Sequence, residues 1–234
     1  MKHLKTIASP RALKVHRKEK VWTIAPAPGP HAAEWSIPLG LLIRDYLGLA
    51  ENRKEVKYIL NNTAVLIDGR RIKDDRFPVG LLDIVSIDKI EKNYIIMVDH
   101  RARLYPKEME KGKAKDTKLC KLVKKVMLKG GKLQLNFYDG KNLLIDAKDS
   151  KKYIVGGTAV FKIPELKIVE FIEPGMGKIA LVAKGRHAGK IGKIVEVTKG
   201  GLNLQSLTTI DSNGEKVVTN TDYIYIIGDK TPKI

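Results

Sequence analysis

The chain has 234 residues, with 44 Lys and Arg against 26 Asp and Glu and a net charge of +18. A hydrophobic share of 43% suits folded modules, and the length exceeds one small barrel and suffices for two or three compact units. The charge predicts a polyanionic partner, and with no unbroken apolar run of about 18 residues and no signal-peptide pattern, a cytoplasmic nucleic-acid binder is favoured over a membrane protein.

Residues 1–36 read as a basic arm. Seven Lys and Arg stand against one Glu in residues 1–20, apolar residues are few, and Pro10, Pro26, Pro28, Gly29 and Pro30 interrupt any periodicity. No packed domain is expected from such a stretch alone. It reads either as a disordered tail or as an arm that orders on RNA, and the stiff A-P-A-P-G-P-H run at 25–31 favours the arm. Lys2, Lys5, Arg11, Lys14, Arg17 and Lys18, with His3 beside them, then neutralise phosphates, and Trp22 pins the arm to a body or a base.

From Ser36 the pattern becomes helical. Leu39, Leu42, Ile43, Tyr46 and Leu47 recur at helical spacing, with Ser36 as cap, Pro38 in the first turn and Gly48 as the stop. Asn52 and Glu55 form a capping-box pair that opens a second helix, with Val56, Ile59 and Leu60 on one face. A strand at 64–67, an Asp68-Gly69 hairpin turn, R-R-I-K and a strand from Ile84 to Ile87 follow. Residues 37–92 carry ten basic and nine acidic groups, so RNA contact there needs a one-sided arrangement. The order helix, helix, strand, Asp-Gly turn, strand, then Pro78, Gly80 and Asp83-Ile84-Val85, resembles the α-L RNA-binding fold. That resemblance implies that Arg44, Arg53, Lys54, Lys57, Arg70 and Arg71 face structured RNA. Singly, each also reads as a solvated helix charge, with Asp45 and Glu55 at hand to pair with some of them.

Residues 93–172 are expected to be β-rich. Tyr94 to Val98 reads as a strand, and Leu133 to Tyr138 and Leu143 to Ile145 flank an Asp139-Gly140-Lys141-Asn142 turn. Leu119, Leu122, Val123, Val126 and Met127 fit helical spacing, whereas the neighbouring hairpins suit a strand from Cys120 to Leu128. The strand is preferred, preceded by a lysine-rich helical stretch at 106–117. The cluster from Lys111 to Lys132 reads as an RNA-facing surface or as a solvated edge that discourages sheet aggregation.

Residues 173–234 carry K-G-R-H-A-G-K-I-G-K-I-V-E-V at 184–197 between β-branched runs. Gly185, Gly189 and Gly192 permit positive φ and a close backbone approach to another surface, and Lys184, Arg186, His187, Lys190 and Lys193 suggest that the surface is a phosphate backbone. The bland alternative is a Gly-rich hairpin loop with solvated lysines. With five short strands in all, the segment resembles the KOW motif on an SH3-like barrel found in ribosomal and transcription-elongation proteins.

No catalytic, cofactor or metal site is predicted. Cys120 stands alone and reads as a buried small hydrophobe; His3, His16, His31, His100 and His187 are scattered singly; Asp74-Asp75 reads as a solvated turn. Three stretches carry the closing resemblance: H-L-K-x-I-A-S-P at 3–10 with Val21-Trp22 and P-G-P-H at 28–31, K-L-C-K at 118–121, and D-G-K-N at 139–142. With the order of modules, they resemble the e-type small-subunit ribosomal protein S-four family of archaea and eukaryotes over nearly the full length. The lysine-rich stretch from Leu104 to Thr117 departs from it.

That resemblance implies an α+β, multi-domain, mostly β chain: an extended basic N-terminal arm (1–36), an α-L RNA-binding domain (37–92), a β-rich central domain (93–172) and a KOW SH3-like barrel (173–234). It further implies a structural constituent of the small ribosomal subunit. The expected partners are small-subunit ribosomal RNA and neighbouring ribosomal proteins, with no homo-oligomer and no cofactor. The alternatives are an RNA-binding transcription elongation factor and an accessory domain of an RNA-modifying enzyme.

Overall fold

The computed structural model describes residues 3–109, 117–201, 205–212, 214–229 and 231–232. The chain is mostly β, with few short helices, and divides into two units. One comprises residues 1–99, 103–118 and 162–166, and the other 100–102, 119–161 and 167–234. Among the described residues, no helix is long and apolar enough to cross a membrane.

In the first unit the arm is folded. Strand β1 (Leu4–Lys5) pairs antiparallel with β2 (Trp22–Thr23), placing Lys5 opposite Trp22. Its few apolar residues suffice because Ala12, Leu13, Ile24 and Ala25 are all buried, and Ala12 accepts a backbone bond from Leu104 at 2.9 Å. The arm thus packs on its own unit. The 25–31 run bends at residues 28–31 instead of continuing as a straight extended path, and Ala27 N–H bonds the Arg76 carbonyl at 2.8 Å.

Strand β3 (Ile37–Pro38) pairs with a strand at Pro78–Val79. Ser36 is extended and lies three residues before the first helical residue, so it does not cap the helix, while Pro38, paired in the sheet, stands at the N-cap. The helix starts at Leu39 as α1 (Leu39–Leu41) and runs on as a π turn over Leu42–Tyr46, with Leu39, Leu42 and Ile43 fully buried. Gly48 follows at φ +64°. Helix α2 (Arg53–Asn62) opens on the expected box: the Asn52 side chain accepts from Glu55 N–H at 3.0 Å, and Val56 and Leu60 are buried.

Strands β4 (Val65–Ile67) and β5 (Arg70–Arg71) form the hairpin around Asp68 and Gly69, both at positive φ. With β6 as the Pro78–Val79 strand, β7 (Ile84–Ile87), β8 (Lys92–Val98) and β9 (Leu104–Glu108) complete a sheet of order β5-β4-β7-β8-β9. Strand β9 overturns the helical reading for 106–108, because its residues pair with Tyr94 to Val98; residues 110–116 of that stretch lie outside the described residues.

The preferred strand forms as β10 (Thr117–Met127), whose residues from Leu119 on belong to the second unit. A register shift between Leu122 and Lys124 breaks its period of two, which is why its apolar spacing imitates a helix. With β11 (Lys132–Phe137), β12 (Asn142–Asp146), β13 (Thr158–Lys162) and β14 (Lys167–Ile172), the sheet order is β12-β11-β10-β13-β14. Its core joins Cys120, Leu122, Leu135, Phe137 and Phe161, the two phenylalanines edge to face at 4.9 Å. The C-terminal strands β15 (Ile179–Val182), β16 (Ile191–Thr198), β17 (Leu207–Ser212), β18 (Glu215–Asn220) and β19 (Ile224–Gly228) form a second sheet of order β18-β17-β16-β15-β19.

Candidate nucleic-acid interface

The arm divides its basic residues between holding its own fold and facing solvent. Buried Thr6 donates its hydroxyl to the Lys20 carbonyl, and the Arg17 guanidinium donates to the carbonyls of Ile7 at 2.9 Å and Pro10 at 3.3 Å. Arg17 thereby clamps the loop between β1 and β2. His3, Lys5, Arg11, Lys14 and Lys18 are exposed, whereas Lys2 lies outside the described residues. Trp22 is 57% exposed, with Lys5 Nζ 5.8 Å from its ring and the His3 ring at 5.9 Å.

On the helices, carboxylates already neutralise two of the arginines. Arg44 bonds Asp45 at 2.5 and 2.9 Å, and that bond raises its pKa against the opposing effect of burial. Arg53 bonds buried Asp75 at 2.5 Å. Lys54, Lys57 and Arg70 are exposed, and Arg71, also exposed, donates to the Asn61 carbonyl at 2.9 Å. Pairing with Asp45 and Asp75 neutralises Arg44 and Arg53 and leaves Lys54 and Lys57 of α2 and the hairpin arginines exposed.

A buried ion network lies in the same unit. Lys118 Nζ, 2% exposed, bonds Asp68 of the hairpin turn and Asp83 at 2.5 Å; Asp83 also bonds His31 Nε2 at 2.9 Å and accepts Gly80 N–H at 2.8 Å. Burial would push the Asp83 carboxyl up, but the charges and hydrogen bonds of His31 and Lys118 outweigh it and hold the carboxyl far below the usual carboxylate range. Lys118 therefore belongs to neither of the readings given for the Lys111-to-Lys132 cluster. The P-G-P-H, Asp-Gly, P-x-G-x-x-D and K-L-C-K stretches each supply one member, and this was their available signal. Gly80 is required beside it, because a Cβ there would fall 2.3 Å from the His31 ring.

Next along β10, Lys121 donates to the Asp222 carbonyl at 2.8 Å and lies 5.1 Å from the Tyr225 ring. Burial lowers its pKa to about 8, against a partial opposing effect of Asp222. The unfolded chain, with an ordinary lysine near about 10.4, then binds more protons than the folded one between those values, so stability rises with pH across that window. Urea unfolding of wild type and Lys121→Met from pH 7 to pH 10 checks this: the wild type is expected to gain relative to the variant as pH rises.

At the glycine loop, Gly185 and Gly189 have φ +89° and +80°, and Gly189 N–H bonds the Val182 carbonyl at 2.8 Å. Gly192 plays a different part from that predicted. It lies within β16, and a Cβ there would stand 2.1 Å from the Asp211 carbonyl oxygen of β17. Its close approach is to protein backbone. Gly192→Ala is expected to destabilise the second unit by about 1–3 kcal/mol, as overpacking does, measurable by urea unfolding. Arg186 and Lys193 are exposed, Lys184 and His187 half-buried, and Lys190 bonds Glu215 at 2.6 Å, a bond that lowers the Glu215 pKa.

Residues 90–168 match the Ribosomal family S4e, and residues 1–34 match the RS4NT (NUC023) domain. The chain is 39% identical over its full length, and 96% of the relative's, to small ribosomal subunit protein eS4 of Methanococcus maripaludis. The protein of that name from Methanocaldococcus jannaschii is 38% identical over the same shares. The crystal structure of 30S ribosomal protein S4e from Thermoplasma acidophilum superposes with a TM-score of 0.73 at 27% identity, over 86% of this chain and 99% of that one. A relative 39% identical over the whole of this chain, with a 30S ribosomal protein S4e of like fold beside it, makes the chain a member of the S4e family of ribosomal proteins.

Proposed function

We propose that the chain anchors small-subunit ribosomal RNA by dispersed phosphate contacts. As a family member it is a structural component of the small ribosomal subunit and not an enzyme. The modules proposed to do this are the arm (1–36), an α-L RNA-binding domain (37–92), a β-rich central domain (93–172) and a KOW SH3-like barrel (173–234). The observation that carries the reading is the distribution of exposed, unpaired cations. Lys5, Arg11, Lys14 and Lys18 on the arm, Lys54 and Lys57 on α2, Arg70 on the hairpin, and Arg186 and Lys193 at the glycine loop hold no side-chain hydrogen bond or ion pair among the described residues. Side chains at such separated places suit an RNA recognised by shape and phosphates more than by base edges.

Filter binding of the full chain to small-subunit rRNA, against large-subunit rRNA as competitor, tests the proposal. Preferential binding to the small-subunit RNA is expected, together with co-sedimentation of the chain with small subunits through a moderate-salt wash. Equal binding to both RNAs, or release into the free fraction, would overturn it.

A further inference from the structure

We infer that a pocket beside Trp22 receives one unstacked base of the bound RNA, an inference that rests on the RNA-binding reading above. A large aromatic ring 57% exposed on a short two-strand ladder is an expensive surface to leave in water, and nothing among the described residues covers it. One side of the ring opens on a pocket of about 190 Å³ that includes His3, Thr23, Arg53 and Arg76 in its wall. No carboxylate among the described residues lines it. The pocket of about 130 Å³ that also borders Trp22 differs in this respect, since Glu19 and Asp45 line it.

Both arginines are already fixed in place. Arg53 Nε is held by Asp75 and Arg76 Nε by the Ala25 carbonyl at 3.0 Å. A guanidinium carries five donors, so an Nε anchor leaves the terminal amino groups of Arg53 directed by the anchor, with no further bond to the described residues. Lys5 and His3 flank the same ring. An apolar platform, the exposed Lys5 at its rim and no carboxylate among the described wall residues match the chemistry of a nucleotide: a π-face to stack and a phosphate to neutralise. An acidic peptide would suit the arginines but leave the Trp22 platform without a stacking partner.

Trp22→Ala and Trp22→Phe in the full chain, bound to small-subunit rRNA, test the inference. Trp22→Ala is expected to weaken binding about 5- to 150-fold, the span reported by alanine substitutions of stacked bases, and Trp22→Phe less. Because no phosphate contact is removed, the slope of affinity against salt should stay unchanged. Wild-type affinity in Trp22→Ala would overturn the stacking site while leaving the RNA reading intact. Loss of incorporation into subunits with unchanged binding to free rRNA would overturn it too, by assigning the ring to a neighbouring protein. Failure of the wild type to bind rRNA would instead reject the RNA reading itself. Ultraviolet crosslinking of the wild-type complex gives a readout independent of variant folding: a nucleotide adduct on Trp22 is expected, and adducts confined to other peptides would overturn the site.

Discussion

Lys118→Met is expected to destabilise the first unit by about 3–5 kcal/mol, because it leaves buried carboxylates with one countercharge removed. Asp68 and Asp83 both bond Lys118, and Asp83 then keeps only His31 and the Gly80 N–H. The pH dependence separates this cause from a loss of packing. Asp83 has a folded pKa below its unfolded value, so its contribution is complete above about 3.9 and is lost as pH falls through the lowered folded value. In Lys118→Met the carboxyl has lost part of what held it down, and protonation relieves the buried charge at a higher pH. The gap between variant and wild type should therefore narrow from pH 7 to pH 4 in urea unfolding. A constant gap would mean that the lysine stem, and not its charge, is what stabilises. Gly80→Ala pushes on His31 in the same network, so its effect and that of Lys118→Met should add to less than their sum.

Affinity for small-subunit rRNA is expected to fall about 10³- to 10⁵-fold between 50 mM and 200 mM salt, as it does for proteins that neutralise about six to ten phosphates. The structure also ranks the candidate cations. Lys54→Gln or Lys193→Gln removes an exposed charge with no partner among the described residues and should reduce the salt slope by about 1. The double variant Arg44→Gln with Asp45→Asn removes a pair that is already neutral and should leave the slope unchanged. Titrations by filter binding at four or more salt concentrations measure both. A flat salt response would contradict dispersed phosphate anchoring, and equal slopes for Lys54→Gln and the wild type would remove α2 from the contact surface.

Local chemistry made much of the fold legible. The Asn52 box and the Asp68-Gly69 hairpin depend on neighbours in sequence, and each formed where its residues indicated. Long-range pairing decided the departures. Pro38 carries a helix-opening signal, yet the strand at Pro78–Val79 takes the backbone of Ile37 and Pro38; Leu119 to Met127 carry a helical period because a bulge displaces a strand's own. The candidate interface divided in the same way: residue type and charge identified the basic residues, whereas their partners, Asp45, Asp75, Glu215 and the loop carbonyls facing Arg17, are distant or oriented by the fold.

By itself the sequence determined that this chain is a basic, mostly β member of its family, because charge balance, turn chemistry and motif order are properties of the chain in one dimension. Only tertiary structure decided which cations remain available, that Gly192 serves a strand contact, and that Lys118 is buried with Asp68 and Asp83. The physical reason is that desolvation and ion pairing depend on what lies within a few ångströms, and residues 31, 68, 83 and 118 become neighbours only once the first unit has folded.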